Sequence, residues 1–195
     1  MLARLFTERG NMNTGIQETS LTSERLRLTP AKLEDAVDMV AAIDARMAQN
    51  LSFFSEPLTM GRQLEYLDRM TREPGHHLFC IREKYTKYLI GTIGLHEHDM
   101  VNDTARLGLL IFQSDDRHRG YGQEAVKRIL WFAFENLGVN RVYIQIFSDN
   151  SASRKLFSDM GFAEEGILRD AYKLRDKYHD MRVMSMLWRE WFKQV

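Results

Sequence analysis

The order of strand-like and helix-like segments between residues 77 and 147 restricts the fold more than any other feature of the sequence. Three segments rich in aromatic and β-branched residues, His77–Arg82, Tyr88–Leu95 and Ala105–Phe112, follow one another across short polar links, which predicts neighbouring antiparallel strands. The apolar residues of Gln123–Leu137 share one helical face, and the alternating segment Arg141–Phe147 comes next. Antiparallel strands followed by a strand–helix–strand crossover predict a mixed sheet with helices on its faces.

The segments before residue 77 add a strand and two helices. Leu26 and Leu28 alternate with polar residues and predict the strand, and Thr29-Pro30 predicts the N-cap and first residue of a helix. The apolar stripe of that helix consists of Leu33, Ala36, Val37, Val40 and Met47. Thr59 predicts the N-cap of the second helix.

The last third of the chain contains one short helix and a hairpin. Asn150–Met160 predicts the helix, and Phe162–Tyr172 with Tyr178–Trp188 predict two antiparallel strands. The complete order is β-αα-βββ-α-β-α-ββ, and no repeat or internal linker divides it. We expect a single domain over residues 21–195, preceded by a polar, aperiodic tail over residues 1–20.

Composition and charge argue against several classes of protein. Lys plus Arg and Asp plus Glu both number 27, so the zero net charge argues against nucleic-acid binding and against a polybasic membrane surface. No run approaches the roughly 18 apolar residues of a membrane span. Cys80, the single cysteine, lies in an apolar run and is expected to be a buried thiol. These features predict a protein of the cytoplasm, a reducing compartment.

A glycine-containing loop joins the strand Ala105–Phe112 to the following helix. Its residues are Arg117, His118, Arg119, Gly120, Tyr121 and Gly122. The free N–H groups of a first helical turn attract an anion, glycines let the backbone approach it, and arginines bind phosphate oxygens. The loop therefore predicts a phosphate site, although a glycine turn with solvated basic side chains fits the same residues. Because the Walker and dinucleotide patterns are absent, the ligand would be neither ATP nor NAD.

Further short motifs follow the loop in order. Asn150-Ser151-Ala152-Ser153 begins the short helix, Met160-Gly161-Phe162 ends it, and Glu165-Gly166 follows. Together with Arg117-x-x-Gly120-x-Gly122, these motifs resemble those of GNAT acetyltransferases, in particular the branch of ribosomal-protein alanine and spermidine N-acetyltransferases. The similarity covers residues 21 to about 190, and its strength lies in the order of the motifs.

The resemblance implies a GNAT fold, which is a mixed, mostly antiparallel twisted sheet of about seven strands with helices on both faces. Two central strands, here Ala105–Phe112 and Arg141–Phe147, would splay apart. The co-substrate acetyl-CoA would place its pyrophosphate on the loop 117–122. Its pantetheine arm would pair with backbone groups of Leu110, Ile111 and Phe112 and would also be bound by Asn150 and Ser153.

The sequence departs from the resemblance at the catalytic positions. Many relatives have a glutamate base before the loop and a tyrosine acid after the asparagine, and these positions are Arg106 and Phe157 here. We expect Phe157 to be a core aromatic. The catalytic residues are left open, and the candidates are Glu97, Tyr178 and His179. The segment His96–Asp99 has no zinc spacing and is expected to be an exposed turn, so no metal is predicted.

The expected activity is acetyl transfer from acetyl-CoA to a primary amine by direct attack in a ternary complex. The acceptor would be a protein N-terminal amine or a small amine such as a polyamine, in a cleft shaped by Ala45–Arg72 and Tyr172–Asp180. An amine of low pKa is favoured over spermidine, because no glutamate base is present to remove a proton from the acceptor. A positive charge at Arg106 would disfavour a cationic acceptor as well if that side chain faces it. Two alternative functions stay open, a CoA-sensing module of the same fold and an interaction protein that does not bind CoA. The chain could also form a homodimer.

Overall fold

The computed structural model describes residues 21–43, 59–174 and 176–193. Within them, eight strands form one sheet in the spatial order β1-β2-β3-β4-β5-β6-β8-β7. The strands are β1 Leu21–Thr22, β2 Leu26–Pro30, β3 His77–Glu83, β4 Leu89–Asp99, β5 Thr104–Ile111, β6 Arg141–Phe147, β7 Ala163–Leu174 and β8 Lys177–Leu187. Of their pairings only β5–β6 is parallel, so the mixed, mostly antiparallel sheet is confirmed, with the two-residue β1 as an additional strand.

Helices cover both faces of the sheet. The α-helices of the described ranges are α1 Ala36–Ala42, α2 Met60–Arg72, α3 Tyr121–Trp131, α4 Ser151–Asp159 and α5 Trp188–Trp191. Adjacent residues of β3 belong to different cores, since Leu78 packs with α1 and α2 whereas Phe79 packs with α3. None of the helices in this part of the chain is long and apolar enough to cross a membrane.

The first predicted helix begins at Ala36 and not at Pro30, so that prediction was wrong. Pro30 is the last residue of β2 and lies opposite Phe79. The Ala31 N–H then continues the ladder by donating to the Leu78 carbonyl oxygen at 2.9 Å. Proline lacks an N–H but is tolerated at a strand end, and here the strand pairing decides the conformation.

The apolar stripe of α1 is also shifted from its predicted position. A 3-10 turn over Leu33–Asp35 precedes the helix and changes the rotation per residue. Met39 is therefore buried, whereas Val37 of the predicted stripe is exposed. Met47 lies outside the described residues.

The other helices agree more closely with the sequence. The Thr59 side chain accepts the Arg62 N–H at 3.3 Å, which confirms the N-cap of α2. Helix α3 begins at Tyr121 rather than Gln123, and a π-helical turn over Phe132–Asn136 forms its last part.

Two single residues have the burial that the sequence predicted. Phe157 is 4% exposed, and its ring meets that of Phe162 edge to face with centroids 5.1 Å apart. Cys80 is completely buried, and burial raises the pKa of its thiol. Phe157 is thus a core aromatic, and Cys80 is a protonated structural thiol.

The parallel pair β5–β6 is joined over three residue pairs, which we call the seam. The pairs are Thr104–Arg141, Ala105–Val142 and Arg106–Tyr143. Beyond the seam β5 continues against β4, and β6 continues against β8. The splayed strand pair expected from the resemblance is therefore present, and it opens towards the carboxyl ends of both strands.

Candidate active site

Strand β5 turns part of its backbone towards the cleft between the splayed strands. Phe112, just after the strand, donates its N–H to the Ile90 carbonyl oxygen at 2.9 Å, so its backbone faces β4. Backbone groups of an antiparallel strand alternate between its two edges. Leu110 therefore also faces β4, whereas Leu109 and Ile111 direct their N–H and C=O groups towards the cleft. Of the three residues expected to meet a pantetheine arm, Ile111 has the suitable orientation.

The loop after β5 turns sharply into α3. His118 and Gly120 have positive φ angles of 61° and 82°, and Gly120 is the N-cap of the helix. The Glu124 N–H donates to the Gly120 carbonyl oxygen at 3.1 Å, so the N–H groups of the preceding three residues have no partner within the helix. Arg117 and Arg119 are exposed. Free N–H groups, the helix dipole and basic side chains are the features that an anion site requires.

The two glycines of the loop have different functions. Gly120 has a left-handed backbone, and a Cβ there would lie 3.3 Å from Nη2 of Arg25. A Cβ on Gly122 would lie 3.4 Å from Leu156 Cδ2 and 3.5 Å from Leu109 Cδ2, which are ordinary contacts. Gly120 thus makes the turn possible, whereas the packing of α3 on α4 and β5 leaves room for a Cβ at Gly122.

A clamp formed by Ser23, Arg25 and Glu124 fixes the loop to the start of the sheet. One carboxylate oxygen of Glu124 accepts hydrogen bonds from the Ser23 hydroxyl at 2.6 Å and from the backbone N–H of Arg25 at 2.8 Å. The other oxygen accepts a hydrogen bond from Nε of Arg25 at 2.8 Å. Nη1 of Arg25 also donates to the Arg119 carbonyl oxygen at 3.0 Å. Burial would raise the pKa of Glu124, but the hydrogen bonds from Ser23 and Arg25 lower it. Sequence reasoning missed this clamp because its members are distant in the chain.

Asn150 and Ser153 lie together at the N-terminus of α4. The Asn150 side-chain oxygen accepts the Ser153 N–H at 3.0 Å, so Asn150 is the N-cap. Its own N–H donates to the carbonyl oxygen of Phe147, the last residue of β6, at 3.0 Å. Asn150 therefore stands at the open end of the cleft, and its side-chain NH₂ group remains as a donor besides the cap.

Glu97 and Arg106 form an ion pair at the seam. Nε and Nη2 of Arg106 donate to the two Glu97 oxygens at 3.1 and 2.7 Å, and the Tyr143 hydroxyl donates to Glu97 at 3.3 Å. The hydrogen bonds from Arg106 exceed the effect of burial and lower the pKa of Glu97, which makes it a weak base. Because Glu97 neutralises Arg106, the argument that an isolated positive charge would disfavour a cationic acceptor was wrong.

Tyr178 and His179 lie at the start of β8 and point to opposite faces. Tyr178 is exposed, and Nζ of Lys173 lies 5.6 Å from its ring centre. His179 is half-buried, and its ring meets that of Phe147 edge to face at 5.3 Å. His179 is therefore at the open end of the cleft, at the other end of β6 from the seam.

His96 is buried, which corrects the exposed turn expected over His96–Asp99. Strand β4 continues through Asp99, and His96 is 9% exposed. Its ring lies over Gly94 and Gly108, which face each other across β4 and β5. A Cβ on Gly108 would lie 3.1 Å from His96 Nε2, and one on Gly94 would lie 3.3 Å from Cε1. The two glycines thus provide the space for the imidazole. Within the described ranges no group of three or more His, Cys, Asp or Glu side chains is arranged to hold a metal ion.

Comparison with known proteins identifies relatives over most of the chain. The profile of a family described as the acetyltransferase (GNAT) domain matches residues 25–163. An uncharacterized N-acetyltransferase of Bacillus licheniformis is 28% identical over 178 residues, which cover 88% of this chain and 98% of that protein. The spermidine N(1)-acetyltransferase of Vibrio cholerae is 25% identical over 153 residues, covering 74% and 87%. A ribosomal-protein-serine acetyltransferase of Escherichia coli is 28% identical over 101 residues, covering 51% and 55%.

Solved structures share the fold. A GCN5-related N-acetyltransferase from Brucella melitensis superposes with a TM-score of 0.77 at 21% identity, over 89% of this chain and 80% of that one. This likeness confirms the fold that the order of motifs predicted.

Proposed function

Because the chain belongs to the GNAT family and is an acetyltransferase, we propose that it transfers the acetyl group of acetyl-CoA to a primary amine by direct attack in a ternary complex. A bond forms between the amine nitrogen and the acetyl carbon, the carbon–sulfur bond breaks with its electron pair on sulfur, and the amine loses a proton. The observation that carries this proposal is the continuity between the cleft edge of β5 and the glycine turn that begins α3.

The parts of acetyl-CoA match the successive parts of this surface. The loop residues 117–122 would hold the pyrophosphate through helical N–H groups and through Arg117 and Arg119. The amides of the pantetheine arm would pair with Leu109 and Ile111 like an added strand. The NH₂ group of Asn150 would donate to the arm from the other side of the cleft.

This direction of binding would bring the thioester towards the seam. With the arm along Ile111 and Leu109, its end would reach the level of Gly108, near the point where β6 rejoins β5. One face of the sheet there is filled by the core beneath α3. The acceptor amine would therefore approach from the opposite face, which carries His96, Arg106 and Tyr143.

We further propose that the acceptor is a peptide N-terminal amine or another amine of low pKa. The family's usual base and acid positions are Arg106 and Phe157, and neither residue can serve in that role. The nearby carboxylate of Glu97 is bound by Arg106, which lowers its pKa and makes it a weak base. An α-amine with a pKa near 8 is partly neutral at neutral pH, whereas an alkyl amine with a pKa near 10 is mostly protonated. The relatives are named for both kinds of acceptor, spermidine and a ribosomal protein.

The acceptor proposal is tested by measuring CoA release with an alanyl or seryl peptide and with spermidine at the same pH. We expect the peptide to have the higher kcat/KM. Spermidine ahead by about tenfold or more would contradict the acceptor proposal. If acetyl-CoA raises Tm but no amine releases CoA, a sensing module is favoured instead.

The phosphate loop has a separate test in Gly120→Val. A side chain at this left-handed position would strain the turn and obstruct the helical N–H groups, so acetyl-CoA affinity should fall by at least about tenfold. Gly166→Val is the control, because Gly166 also has positive φ, 154°, and its Cβ would meet nothing within 4 Å. Wild-type affinity in a folded Gly120→Val variant would show that the loop does not bind the phosphates.

A further inference from the structure

We propose that His96, His76 and Glu73 form a proton relay that takes the proton from the acceptor amine during acetyl transfer. The proposal rests on the acetyl transfer proposed above and assigns the base that the family's usual position lacks. It is carried by the seat of His96 over Gly108, by its contact with His76, and by a short connection from His76 to an exposed carboxylate.

The first group, His96, lies where the reacting nitrogen is expected. Its Nε2 would be 3.1 Å from a Cβ on Gly108, so the ring covers the face of β5 at the level proposed for the thioester. Four charged or titratable groups act on it: Arg106, Glu97, His76 and His77. Burial, followed by the charge of Arg106, lowers the pKa of His96 to about 4, so the ring is neutral and able to accept a proton at physiological pH.

The second group, His76, contacts His96 at its Nδ1 atom. The two Nδ1 atoms are 3.3 Å apart, which is a hydrogen bond when one carries hydrogen and the other a lone pair. In the tautomer that the relay uses, Nδ1–H of His96 donates to Nδ1 of His76. Nε2 of His96 then has its lone pair available for the amine proton.

The third group, Glu73, connects the buried pair to solvent. His76 Nε2 lies 3.8 Å from a Glu73 carboxylate oxygen, an ion-pair distance for a protonated His76. The His76 side chain is 15% exposed and that of Glu73 is 56% exposed. The path therefore runs from the interior of the sheet to the surface at the end of α2.

The proton balance is complete within these groups and water. As the amine nitrogen bonds to carbon it becomes cationic and strongly acidic, so a weak neutral base is sufficient. Its proton passes to His96 Nε2, the Nδ1 proton of His96 passes to His76 Nδ1, and the Nε2 proton of His76 passes to water beside Glu73, whose carboxylate at 3.8 Å favours a cationic His76. When sulfur leaves with its electron pair, His96 Nε2 returns a proton to it, and a proton from water restores both tautomers.

The main test compares His96→Gln with the wild type. Glutamine can form hydrogen bonds but cannot accept the proton, so kcat should fall by about 10²-fold while the acetyl-CoA Kd stays unchanged. His98→Gln is the matched control, because His98 is on the same strand but contacts His77 and not His76. Its kcat should equal that of the wild type.

The outer end of the relay gives a test that does not depend on the folding of a core variant. Glu73→Gln and His76→Gln should each lower kcat by about threefold or more, and high concentrations of imidazole buffer should restore it. Two outcomes with an active wild type would overturn the relay. One is an unchanged kcat in His96→Gln. The other is a loss of kcat in Glu73→Gln and His76→Gln that imidazole does not restore. If the wild type itself releases no CoA with any amine, acetyl transfer fails and the relay with it.

Discussion

Asn150 is an observed helix cap and also a proposed ligand contact. Its oxygen accepts the Ser153 N–H and caps α4, and its NH₂ group is the donor proposed for the pantetheine arm. The proposal therefore gives this side chain two contributions, one to helix stability and one to binding. An alanine substitution alone would not distinguish the two contributions.

We expect Asn150→Ala and Asn150→Ser to differ in stability but not in binding. Serine is a good N-cap, so only the alanine variant should lose about 1 kcal/mol of unfolding free energy. Both variants lack the NH₂ donor, and both should weaken acetyl-CoA binding by about 1–2 kcal/mol. Calorimetric binding and urea unfolding measure these two quantities.

Thr59→Ala provides the control for a lost cap, because Thr59 caps α2 in the same way. It should lower stability and leave acetyl-CoA affinity unchanged. If Asn150→Ser bound acetyl-CoA as tightly as the wild type, Asn150 would be a cap and nothing more.

The residues near the seam mark the limit of sequence reasoning at this scale. Phe157 and Cys80 were predicted correctly because apolar neighbours indicate burial directly. His96 was not, because Glu97 has a positive φ of 54° and no sequence rule predicts this for a non-glycine residue in a strand. The pairing of Glu97 with Arg106 was missed for a different reason, because it depends on the register of β4 on β5.

Helix α3 depends on the clamp for its position as well as on its apolar face. Glu124 is in the first helical turn, where a carboxylate is also favoured by the helix dipole. Its bonds to Ser23 and Arg25 connect that turn to the connection between β1 and β2. The orientation of the loop residues 117–120 therefore depends on a segment near the beginning of the sheet.

We expect Glu124→Ala to lower both stability and acetyl-CoA affinity. The Glu124 side chain is 16% exposed, and its removal leaves the Ser23 hydroxyl and Arg25 without their acceptor, at a cost of about 1–3 kcal/mol in unfolding free energy. The loop should lose its fixed position, and Kd for acetyl-CoA should rise. Lys127→Ala, on an exposed position of the same helix, is the control. Equal Kd values for the two variants would show that the clamp does not orient the loop.

At the scale of elements the sequence predicted most strands and failed at the first helix. Arg141–Phe147 was predicted with its observed bounds, because alternation over seven residues has few other interpretations. The predicted start of α1 was wrong because Pro30 pairs with β3 as the last residue of β2, and this pairing outweighs the local preference for a helix cap. Residues 45–58 of the predicted acceptor cleft lie outside the described residues.

The molecule as a whole contains two neutral histidines on opposite faces of the sheet, His96 buried and His77 half-buried. His96 contacts His76, and His77 packs against Phe132 beneath the π-helical turn. Burial is the main cause that lowers the pKa of each to about 4, from 6.5 in an unfolded chain. Folding therefore opposes their protonation.

We expect stability to be independent of these histidines above pH 6.5 and to fall as the pH decreases from 6.5 towards 4. In that window the unfolded chain binds protons that the folded chain does not. Each histidine therefore lowers the unfolding free energy by about 3 kcal/mol at pH 4, compared with its value above pH 6.5. Urea unfolding across this range measures the slope. His77→Gln and His96→Gln should each make the slope smaller, and an unchanged slope in both variants would contradict the assignment.

The pairing of β3, β4 and β5 was predictable because short links favour hairpins, and the β5–β6 pair because a helix favours a crossover, whereas the position of β8 between β6 and β7 was not predicted. The seam has a mechanical consequence for that topology. It divides the sheet into a five-strand leaf and a three-strand leaf, which are joined near one end like the leaves of a book. A rotation about Thr104–Arg106 would change the opening angle of the cleft. A ligand that bonds to both leaves fixes that angle, and the distance between groups on β5 and β6 is then determined by the ligand as much as by the protein.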